Sequence, residues 1–473
     1  MNILSIHTSH DGSITIIKNN KFLLHTQIDR FNHVVGSAFP SKNLLIKIKK
    51  LSIKFNIVLL TMLTDSSHWY WENLLKIYKI INKKTKFIYY YNNNHHLFHS
   101  YCAKATCGKN KFTVVIDGHG SPLKNNYYEQ ETIFKEDIPI LQETNNIGDN
   151  YARVTAKLLN EKYGSVYTIK GTGKTMALSS YGNINKKIFN DNKLTTNKKD
   201  KNTQNYLANF QKETAEQIKK IMPLKNVNYT GGVAQNVLAN YQFLNYKNFK
   251  IDPLCTDQGI SLGSVNYFLK GSIKLKNPVY LGFQPTYNLD IFEKYKIINT
   301  TTKEICKILK NNPVAIFQGR SEQGQRGLGN RSLLMNAMHP NAVKLVNKIK
   351  KREWYRPFSP AILEEYAKDY YEIKTNSPYM LYVFKAKKNI SSVTSVDGTS
   401  RIQTVSKKNN YHFYNLLKKY NEIYKIPLLL NTSLNLSGHT LVESLEDVKY
   451  MFDFGNLKYC YLPELSKLIF NPR

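Results

Sequence analysis

Cysteine is scarce in this chain, and its pattern argues against one kind of site. The 473 residues include five cysteines, at positions 102, 107, 255, 306 and 460, and they form no CxxC pair. Such a scattered set is typical of a reducing compartment and excludes a cysteine-based zinc site. The sequence also lacks an apolar run of about 18 residues, as a membrane span would require. Its first residues do not show the basic and then apolar order of a signal peptide. We therefore expect a cytoplasmic protein without membrane association; a virus-encoded protein acting in the host cytoplasm is the alternative.

Acidic residues are also few. The chain has 34 Asp and Glu against 67 Lys and Arg, which gives a formal net charge of +33. One explanation is an A/T-rich gene, which would account for the many lysines better than for the few carboxylates. The other is function, because so positive a surface attracts polyanions, most commonly nucleic acid. Both explanations stay open at this point.

Arginine is the rarer of the two strong cations, and it is clustered. Of nine arginines, six lie within 82 residues. The planar guanidinium binds phosphate and carboxylate with several donors at once, which a lysine does not do. The clustering therefore indicates an anion site formed by some of the following residues: Arg320, Arg326, Arg331, Arg352, Arg356 and Arg401.

The length and the 42% hydrophobic content predict two packed domains. Residues 3–17 read as strand, Asp-Gly turn and strand, and residues 112–134 repeat that plan. This duplication is the layout of the actin-like nucleotide-binding fold. A third element, 228–240, reads as strand, Gly-Gly turn and helix, where the backbone can closely approach a ligand.

Two polar segments suggest how the domains are divided. The lysine-rich segment 183–203 has no periodicity and is predicted to be an exposed loop, and 272–290 is predicted to cross between domains. A helix at 303–311 and a strand at 314–317 then begin a second α/β domain. We predict an N-terminal domain over 1–280 and a C-terminal domain over 286–473.

Three of the 12 histidines fall within the stretch NHHLFHS. On a helix, His95 and His99 are four residues apart and share one face, as a pair of metal ligands requires. The alternative is that they are ordinary packing or surface residues. Asp117 and Asp257 are candidate oxygen donors, and a set of two histidines and two aspartates suits iron, manganese or zinc.

These motifs carry a family resemblance. The HxxxH, IDG, TGGVAQN and DQG motifs, in this order, resemble the NodU/CmcH (TobZ-like) O-carbamoyltransferase family, whose first half has the duplicated actin-like fold. The resemblance covers almost the whole chain and implies a YrdC-like α/β domain as the second half. Its longest segments are 148–155, 171–182, 317–334, 347–363, 397–405 and 427–438.

The resemblance implies two reactions. The second domain would release carbamate from carbamoyl phosphate and join it to ATP, with Mg, as carbamoyl-adenylate; the first would pass the carbamoyl group to an acceptor hydroxyl. One or two of the second domain's arginines are expected instead to pair with Glu322 or Glu353. The carbamoyl phosphate contacts implied by the resemblance are Lys350, Arg356, Arg401 and Ser433, with Arg331, Arg352 and Asn431 nearby.

In the first domain, the resemblance implies a divalent metal, iron before manganese or zinc, on His95, His99, Asp117 and Asp257. It also implies that Gly231, Gly232 and Asn236 surround the adenosine and that His10 is the general base; the alternative is that His10 merely caps its turn. Two departures from the family pattern stand out. Asp29 remains alone where an acidic pair is usual, and GQRGLG at 324–329 is expected to form a looser loop that keeps Arg326.

Of everything that the resemblance implies, the identity of the acceptor is the least transferable from the family to this chain. A hydroxymethylated pyrimidine, 5-hydroxymethylcytosine, in DNA is the favoured acceptor because it would explain the charge. The 183–203 segment would then touch phosphates, and the base would leave its stack to reach His10. The alternatives are a sugar or small natural product, tRNA threonylcarbamoylation, and a non-catalytic nucleic-acid-binding protein. The expected partners are carbamoyl phosphate, ATP, DNA and, as a homodimer, a second copy of the chain.

Overall fold

The computed structural model divides the chain into two compact units. It describes residues 1–37, 39–62, 67–91, 93–123, 127–184 and 194–472. Among these, the N-terminal unit contains 1–175, 194–200 and 210–283, and the C-terminal unit contains 176–184, 201–209 and 284–472. No helix in the described ranges has the length and the hydropathy needed to cross a bilayer.

The first sheet of the N-terminal unit is built from apolar strands around a tight turn. Its strand order is β3-β2-β1-β4-β5, in which β1 to β3 form an antiparallel meander and β4 and β5 run parallel to β1. Asp11 takes a left-handed φ of 60° in the turn between β1 and β2. The strands are β1 Ile3–His7, β2 Ser13–Lys18, β3 Lys21–Gln27, β4 Ile57–Met62 and β5 Lys86–Tyr91.

The second sheet repeats this topology. Its order is β8-β7-β6-β9-β10, again with an antiparallel meander of three strands and two strands parallel to the first. The duplicated actin-like layout predicted from the two hairpins is therefore confirmed. The strands are β6 Phe112–Ile116, β7 Glu131–Lys135, β8 Ile138–Glu143, β9 Lys225–Thr230 and β10 Lys247–Ile251.

Helices α4 and α9 pack closely against each other. A Cβ on Gly263 of α9 would lie 1.9 Å from the carbonyl oxygen of Phe98 in α4, so only glycine allows this approach. The helices that lie in or begin in the N-terminal unit are α1 Asp29–Asn32, α2 Lys42–Lys50, α3 Ser67–Ile77, α4 His95–Cys107, α5 Ile147–Leu159 and α6 Val166–Ser179. They are followed by α7 Lys201–Ile221, α8 Val237–Asn240 and α9 Ile260–Phe268.

The C-terminal unit is a mixed α/β domain around an eight-stranded sheet of order β11-β20-β19-β12-β13-β18-β14-β17. Two of its helices begin with capping boxes, Thr301 with Glu304 and Ser444 with Asp447. The strands are β11 Lys296–Asn299, β12 Val314–Phe317, β13 Arg331–Met335, β14 Ser359–Leu363, β15 Phe384–Lys385, β16 Thr399–Ser400, β17 Gln403–Val405, β18 Leu428–Ser433, β19 Tyr459–Leu462 and β20 Lys467–Phe470. The helices are α10 Thr302–Leu309, α11 Ala342–Lys350, α12 Ala367–Tyr370, α13 Tyr411–Tyr424 and α14 Leu445–Phe454.

Most local predictions are confirmed. The strand predicted at 314–317 is β12, and the helix predicted before it at 303–311 is α10, which occupies Thr302–Leu309. The predicted exposed loop 183–203 is partly wrong. Residues 185–193 lie outside the described residues, but α7 begins at Lys201. Its first turn is helical because Thr203, Tyr206 and Leu207 form a buried face, a periodicity that starts only at the segment's end.

A buried histidine joins a hydroxyl network between β2, β3 and α9. The Nδ1 atom of His25 lies 2.8 Å from Thr15 Oγ1, and the Thr15 and Ser261 hydroxyls are 2.9 Å apart. Burial, followed by the charge of Arg30, lowers the pKa of His25 to about 3. This histidine is therefore neutral in the folded protein at pH values well above 3.

His25 makes the folded state less stable as the pH falls. Its pKa drops on folding from 6.5 to about 3, so the unfolded chain binds more protons within that window and stability decreases from pH 6.5 downward. Between about pH 7 and about pH 5 the loss due to His25 is up to ~2 kcal/mol. Urea unfolding at both pH values should show a smaller loss for His25→Asn, whereas exposed His33→Asn should retain the full loss; an unchanged pH dependence in His25→Asn would contradict the assignment.

Candidate functional site

Four side chains from three separate segments converge in the N-terminal unit. The Nε2 atom of His99 lies 3.1 Å from Asp117 Oδ2 and 3.5 Å from Asp257 Oδ1. The Nε2 atom of His95 lies 3.8 and 3.4 Å from the same two oxygens. One donor atom from each of these residues lies within 4.8 Å of every other. The structure thus brings together all four residues predicted as metal ligands; that role itself stays a prediction.

The donor atoms fit a divalent metal ion. Nε2 of His95, Nε2 of His99 and Oδ2 of Asp117 are buried, and within the described ranges none of them makes a hydrogen bond of good geometry, although the two nitrogens lie 3.8 and 3.1 Å from that oxygen. Polar atoms are rarely left so in a protein interior. Burial lowers the pKa of His95, but Asp257 and Asp117 together raise it to about 10. The two carboxylates therefore require a positive charge among these imidazoles, and two nitrogens with two oxygens suit iron, manganese or zinc.

Local sequence and close packing place these ligands. His95 and His99 lie on one face of α4, Asp117 directly follows β6, and Asp257 lies in the turn that leads into α9. A Cβ on Gly232 would come within 2.9 Å of Asp117 Oδ1. The Gly231–Gly232 turn predicted to approach a ligand therefore lies against the ligand cluster.

Asn236, predicted beside the adenosine, is engaged within the protein. Its Oδ1 accepts hydrogen bonds from the Ala239 backbone N–H and from Gln211 Nε2, and its Nδ2 donates to Gln211 Oε1. The Tyr151 hydroxyl also donates to Gln211, at 2.7 Å. The Asn236 side chain therefore shapes the segment after the glycine turn, and its role toward a nucleotide stays a prediction.

The ligand helix α4 is capped by residues that sequence reasoning missed. Asn94, at the N-cap position, is left-handed and makes no side-chain cap. Instead the His95 N–H donates to Ser121 Oγ, and the His96 and Ser121 N–H groups donate to the Glu129 carboxylate. Because Ser121 and Glu129 follow Asp117 in the same β6–β7 connection, these bonds hold the helix against the strand that carries the third ligand. No local pattern in the sequence could indicate this cap.

Two further imidazoles face the same Asp257 carboxylate. Its Oδ2 atom lies 3.2 Å from His10 Nδ1 and 3.8 Å from His7 Nε2. The His10 side chain is 40% exposed, whereas His7 is buried and its Nδ1 lies 3.1 Å from the Thr61 hydroxyl. Burial lowers the pKa of His10, but Asp257 and Asp11 raise it above 6.5 overall. His7 was not predicted, although it lies in the same IHTSHDG stretch as His10.

Asp29, which stands alone where the family pattern has an acidic pair, stabilises the loop that contains Gly36. Asp29 is buried, and its Oδ2 accepts the Gly36 N–H at 3.1 Å. The Gly36 carbonyl in turn accepts the Asp11 N–H, and Asp11 forms an ion pair with Lys170. Asp29 thus fixes the chain beside the turn that carries His10.

Five cationic side chains of the C-terminal unit lie close enough to affect one another electrostatically, and we call them the cation cluster: Arg326, Lys350, Arg352, Arg356 and Arg401. Burial, and then Arg326, Arg352 and Arg356, lower the pKa of Arg401 well below its usual range. Burial, followed by Arg352 and Arg356, does the same for Lys350. Within this cluster Arg356 forms an ion pair with Glu353 at 3.2 Å. Cations gathered so closely, with Lys350 buried among them, favour a bound anion; the binding of carbamoyl phosphate here stays a prediction.

The remaining predicted residues frame this cluster. Lys350 Nζ donates to the carbonyls of Ser433 and Asn435, both at 2.7 Å. Asn431 Nδ2 donates to Gly327 and Gln403, and within the described chain its buried Oδ1 has no partner. The Ser433 hydroxyl lies 2.7 Å from Asn435 Oδ1. Lys350 and Ser433 are therefore directly linked, and their common role toward carbamoyl phosphate stays a prediction.

Arg331 and the 324–329 loop differ from expectation. The guanidinium of Arg331 is buried over the Phe317 ring and donates to the carbonyls of Gln318, Gly319 and Asn330. These bonds engage its two terminal nitrogens within the protein, and its predicted place near carbamoyl phosphate stays a prediction. Glu322, expected as an arginine partner, accepts the N–H groups of 328, 330 and 331, and its charge opposes the lowering of the Arg331 pKa by burial. These bonds hold a loop that we expected to be loose.

The comparisons with known proteins agree with the sequence motifs. Residues 306–467 match the family model Carbamoyltransferase C-terminus. The protein MJ1051 of Methanocaldococcus jannaschii is 29% identical over 94% of this chain and 95% of its own. Nodulation protein NolNO of Sinorhizobium fredii is 30% identical over 49% of this chain, and the match spans 38% of NolNO. Among solved structures, full-length HypF in its phosphate- and nucleotide-bound form overlaps 58% of this chain and 56% of its own, at 14% identity and a TM-score of 0.34.

Removing the Glu129 carboxylate should weaken both the fold and the ion site. Glu129→Ala leaves two buried N–H groups without their acceptor, which costs about 1–3 kcal/mol for each such group, and lets α4 shift relative to Asp117. We expect a lower melting temperature and at least about tenfold weaker Mn²⁺ or Zn²⁺ binding in calorimetry. Exposed Glu213→Ala is the control. Unchanged ion affinity in a folded Glu129→Ala protein would contradict the positioning role.

Proposed function

The chain belongs to the carbamoyltransferase family, and from that premise we propose that it is an ATP-dependent O-carbamoyltransferase that uses carbamoyl phosphate. The observation that carries the proposal is the Asp257 carboxylate, which faces the ligand imidazoles with one oxygen and His10 with the other. The match to NolNO spans 38% of that protein, and the match to Nodulation protein U of Rhizobium tropici spans 39% of that one. Activity, substrates and partners are therefore all part of the proposal.

The cation cluster supports carbamoyl-adenylate formation in the C-terminal unit. Carbamoyl phosphate and Mg-ATP both carry negative phosphates, and a dense set of fixed cations stabilises charge at such groups. Lys350, Arg352, Arg356 and Arg401 would bind the phosphates, with Ser433 and Asn431 orienting the carbamoyl group. Water cleaves carbamoyl phosphate to carbamate and inorganic phosphate. A carbamate oxygen then attacks the α-phosphate of ATP, and pyrophosphate leaves. Arg331 makes internal bonds, and we assign it no phosphate contact.

His10 supports the transfer step. With Asp257 3.2 Å from Nδ1, the tautomer that carries its proton on Nδ1 is favoured, and Nε2 is left as the proton acceptor. His10 then takes the proton of the acceptor hydroxyl as general base, the hydroxyl oxygen bonds to the carbamoyl carbon of the adenylate, and AMP leaves. A metal ion on His95, His99, Asp117 and Asp257 would supply Lewis-acid chemistry at the carbamoyl oxygen or the phosphate. Iron is the proposed ion, with manganese and zinc as alternatives.

We favour a hydroxymethylated pyrimidine in DNA as the acceptor. The net charge of +33 is far greater than a sugar or small natural product requires, and it would attract duplex DNA strongly. The half-exposed His10 leaves access for a hydroxyl group. A homodimer and a cytoplasmic location belong to the same proposal.

Loss of the imidazole base should stop transfer and spare adenylation. His10→Gln is expected to lower carbamoyl transfer about 10²–10⁴-fold, because no group then accepts the hydroxyl proton. Pyrophosphate release from ATP with carbamoyl phosphate should stay within about twofold, because it takes place at the cation cluster. His33→Gln is the matched control. Equal transfer by His10→Gln and the unmodified protein would remove His10 from the mechanism.

The identity of the acceptor is tested by comparing carbamoyl transfer to DNA with transfer to small molecules. Mass spectrometry should detect an added carbamoyl group on duplex DNA containing hydroxymethylcytosine after incubation with ATP and carbamoyl phosphate. Raising the salt from about 50 to about 200 mM should lower this transfer steeply, because DNA binding releases counterions. Free hydroxymethyl nucleoside and an aminoglycoside serve as comparison acceptors. Transfer to these small molecules alone, without salt dependence, would exclude DNA in favour of a small acceptor.

A further inference from the structure

An exposed tryptophan lies beside the cation cluster. Trp354 is one of three tryptophans in the chain and is 52% exposed, whereas Trp71 is 1% exposed. It lies in the connection between α11 and β14, between Arg352 and Arg356. A large apolar ring that stays in water beside charged groups contributes little to the core, and such rings commonly mark a binding surface.

Two aromatic neighbours contact the indole of Trp354 and leave about half of the residue exposed. The ring of Tyr181 is 5.1 Å away at an interplanar angle of 79°, and that of Tyr355 is 5.4 Å away at 85°. Both neighbours are nearly perpendicular to the indole. Among the described rings, none stacks parallel to it, so its exposed part is open to a parallel contact with a flat ligand.

The adjacent arginines do not occupy that surface. The guanidinium of Arg352 lies over the Phe358 ring at 5.1 Å and donates to the Pro357 carbonyl. Arg356 pairs with Glu353. Trp354 is therefore not the cation–π partner of its neighbours in sequence, and an explanation of its exposure by arginine stacking does not hold.

The rings of Tyr181 and Trp354 lie close to the segment that carries Arg401 of the cation cluster. Ser180, next to Tyr181, donates a 2.8 Å hydrogen bond to Asp397. Asp397 also accepts the Thr399 N–H and hydroxyl hydrogen bonds at the start of the short segment that ends in Arg401. The segment 180–181, the Trp354 connection and the Arg401 segment thus meet at one place in the C-terminal unit.

We propose that Trp354 is a stacking platform for the nucleobase of ATP, beside the cations that bind its phosphates. This inference rests on the proposed function, which gives the C-terminal unit a nucleotide as substrate. An aromatic platform recognises the π-face that all bases share, so it adds affinity with little choice of base. Purine nucleotides, with the larger ring, should bind better than pyrimidine nucleotides, and ATP and GTP should differ little at this surface.

The test compares ATP with tripolyphosphate, which has the same chain of phosphates and no base. Calorimetry on the full chain with Mg²⁺ should show about tenfold weaker ATP binding by Trp354→Ala, with tripolyphosphate affinity changed less than about twofold. Trp354→Phe should restore most of the ATP affinity. ATP should quench the fluorescence of the unmodified protein and of the control Trp69→Phe, but not that of Trp354→Phe.

Two results would overturn the platform: unchanged ATP affinity in Trp354→Ala, or an equal loss of ATP and tripolyphosphate affinity, which would indicate a disturbed cation cluster. Pyrophosphate release with carbamoyl phosphate separates this inference from the proposed function. If the unmodified protein binds ATP through Trp354 but releases no pyrophosphate, the proposed function fails and the platform stands. If pyrophosphate is released and the KM for ATP is the same in Trp354→Ala, the platform fails and the proposed function stands.

Discussion

The N-terminal site depends on one buried carboxylate. Asp257 lies 3.4 and 3.5 Å from the Nε2 atoms of His95 and His99 through one oxygen, and 3.2 Å from His10 through the other. A carboxylate removed from water is costly unless positive charge and hydrogen-bond donors surround it. Burial raises the pKa of Asp257, but the neighbouring His10 and His95 lower it well below its usual range. Protons or an ion must therefore occupy this cluster, and they compete for the same imidazoles.

Two close contacts between distant segments bring Asp257 and Asp117 to the helix that carries the histidines. Asp257 reaches the ligand helix only because α9, which follows it, packs against α4 at Gly263. Asp117 reaches it because the connection after β6 returns Ser121 and Glu129 to the first turn of α4. The ligands are thus placed by backbone packing and by a tertiary cap rather than by the preference of any single segment. This is the positioning that a metal site requires of its outer contacts.

The sequence predicted what local pattern and residue choice encode. The repeated hairpins, the spacing of His95 and His99 and the clustering of arginines each have a short-range or compositional signal. In the structure these signals correspond to the duplicated topology, the helix that begins at His95 and the cation cluster. Contacts between distant segments have no such signal. Glu129 at the α4 cap, Glu322 on the 324–329 loop and the internal bonds of Arg331 depend on the tertiary fold, so they had to be observed.

The two clusters have opposite charge imbalances, and this contrast supports the proposed two-step chemistry. In the N-terminal unit the carboxylates of Asp257, which is buried, and Asp117, which is partly buried, face imidazoles, an arrangement that favours a cation. In the C-terminal unit Lys350 and Arg401 lie among other cations, and their lowered pKa values mean that their charged forms are disfavoured there. A bound phosphate would offset that cost, and its binding would then be linked to the stability of the unit that surrounds it. The sign of the charge that each cluster gathers is therefore the basis on which its ligand is proposed.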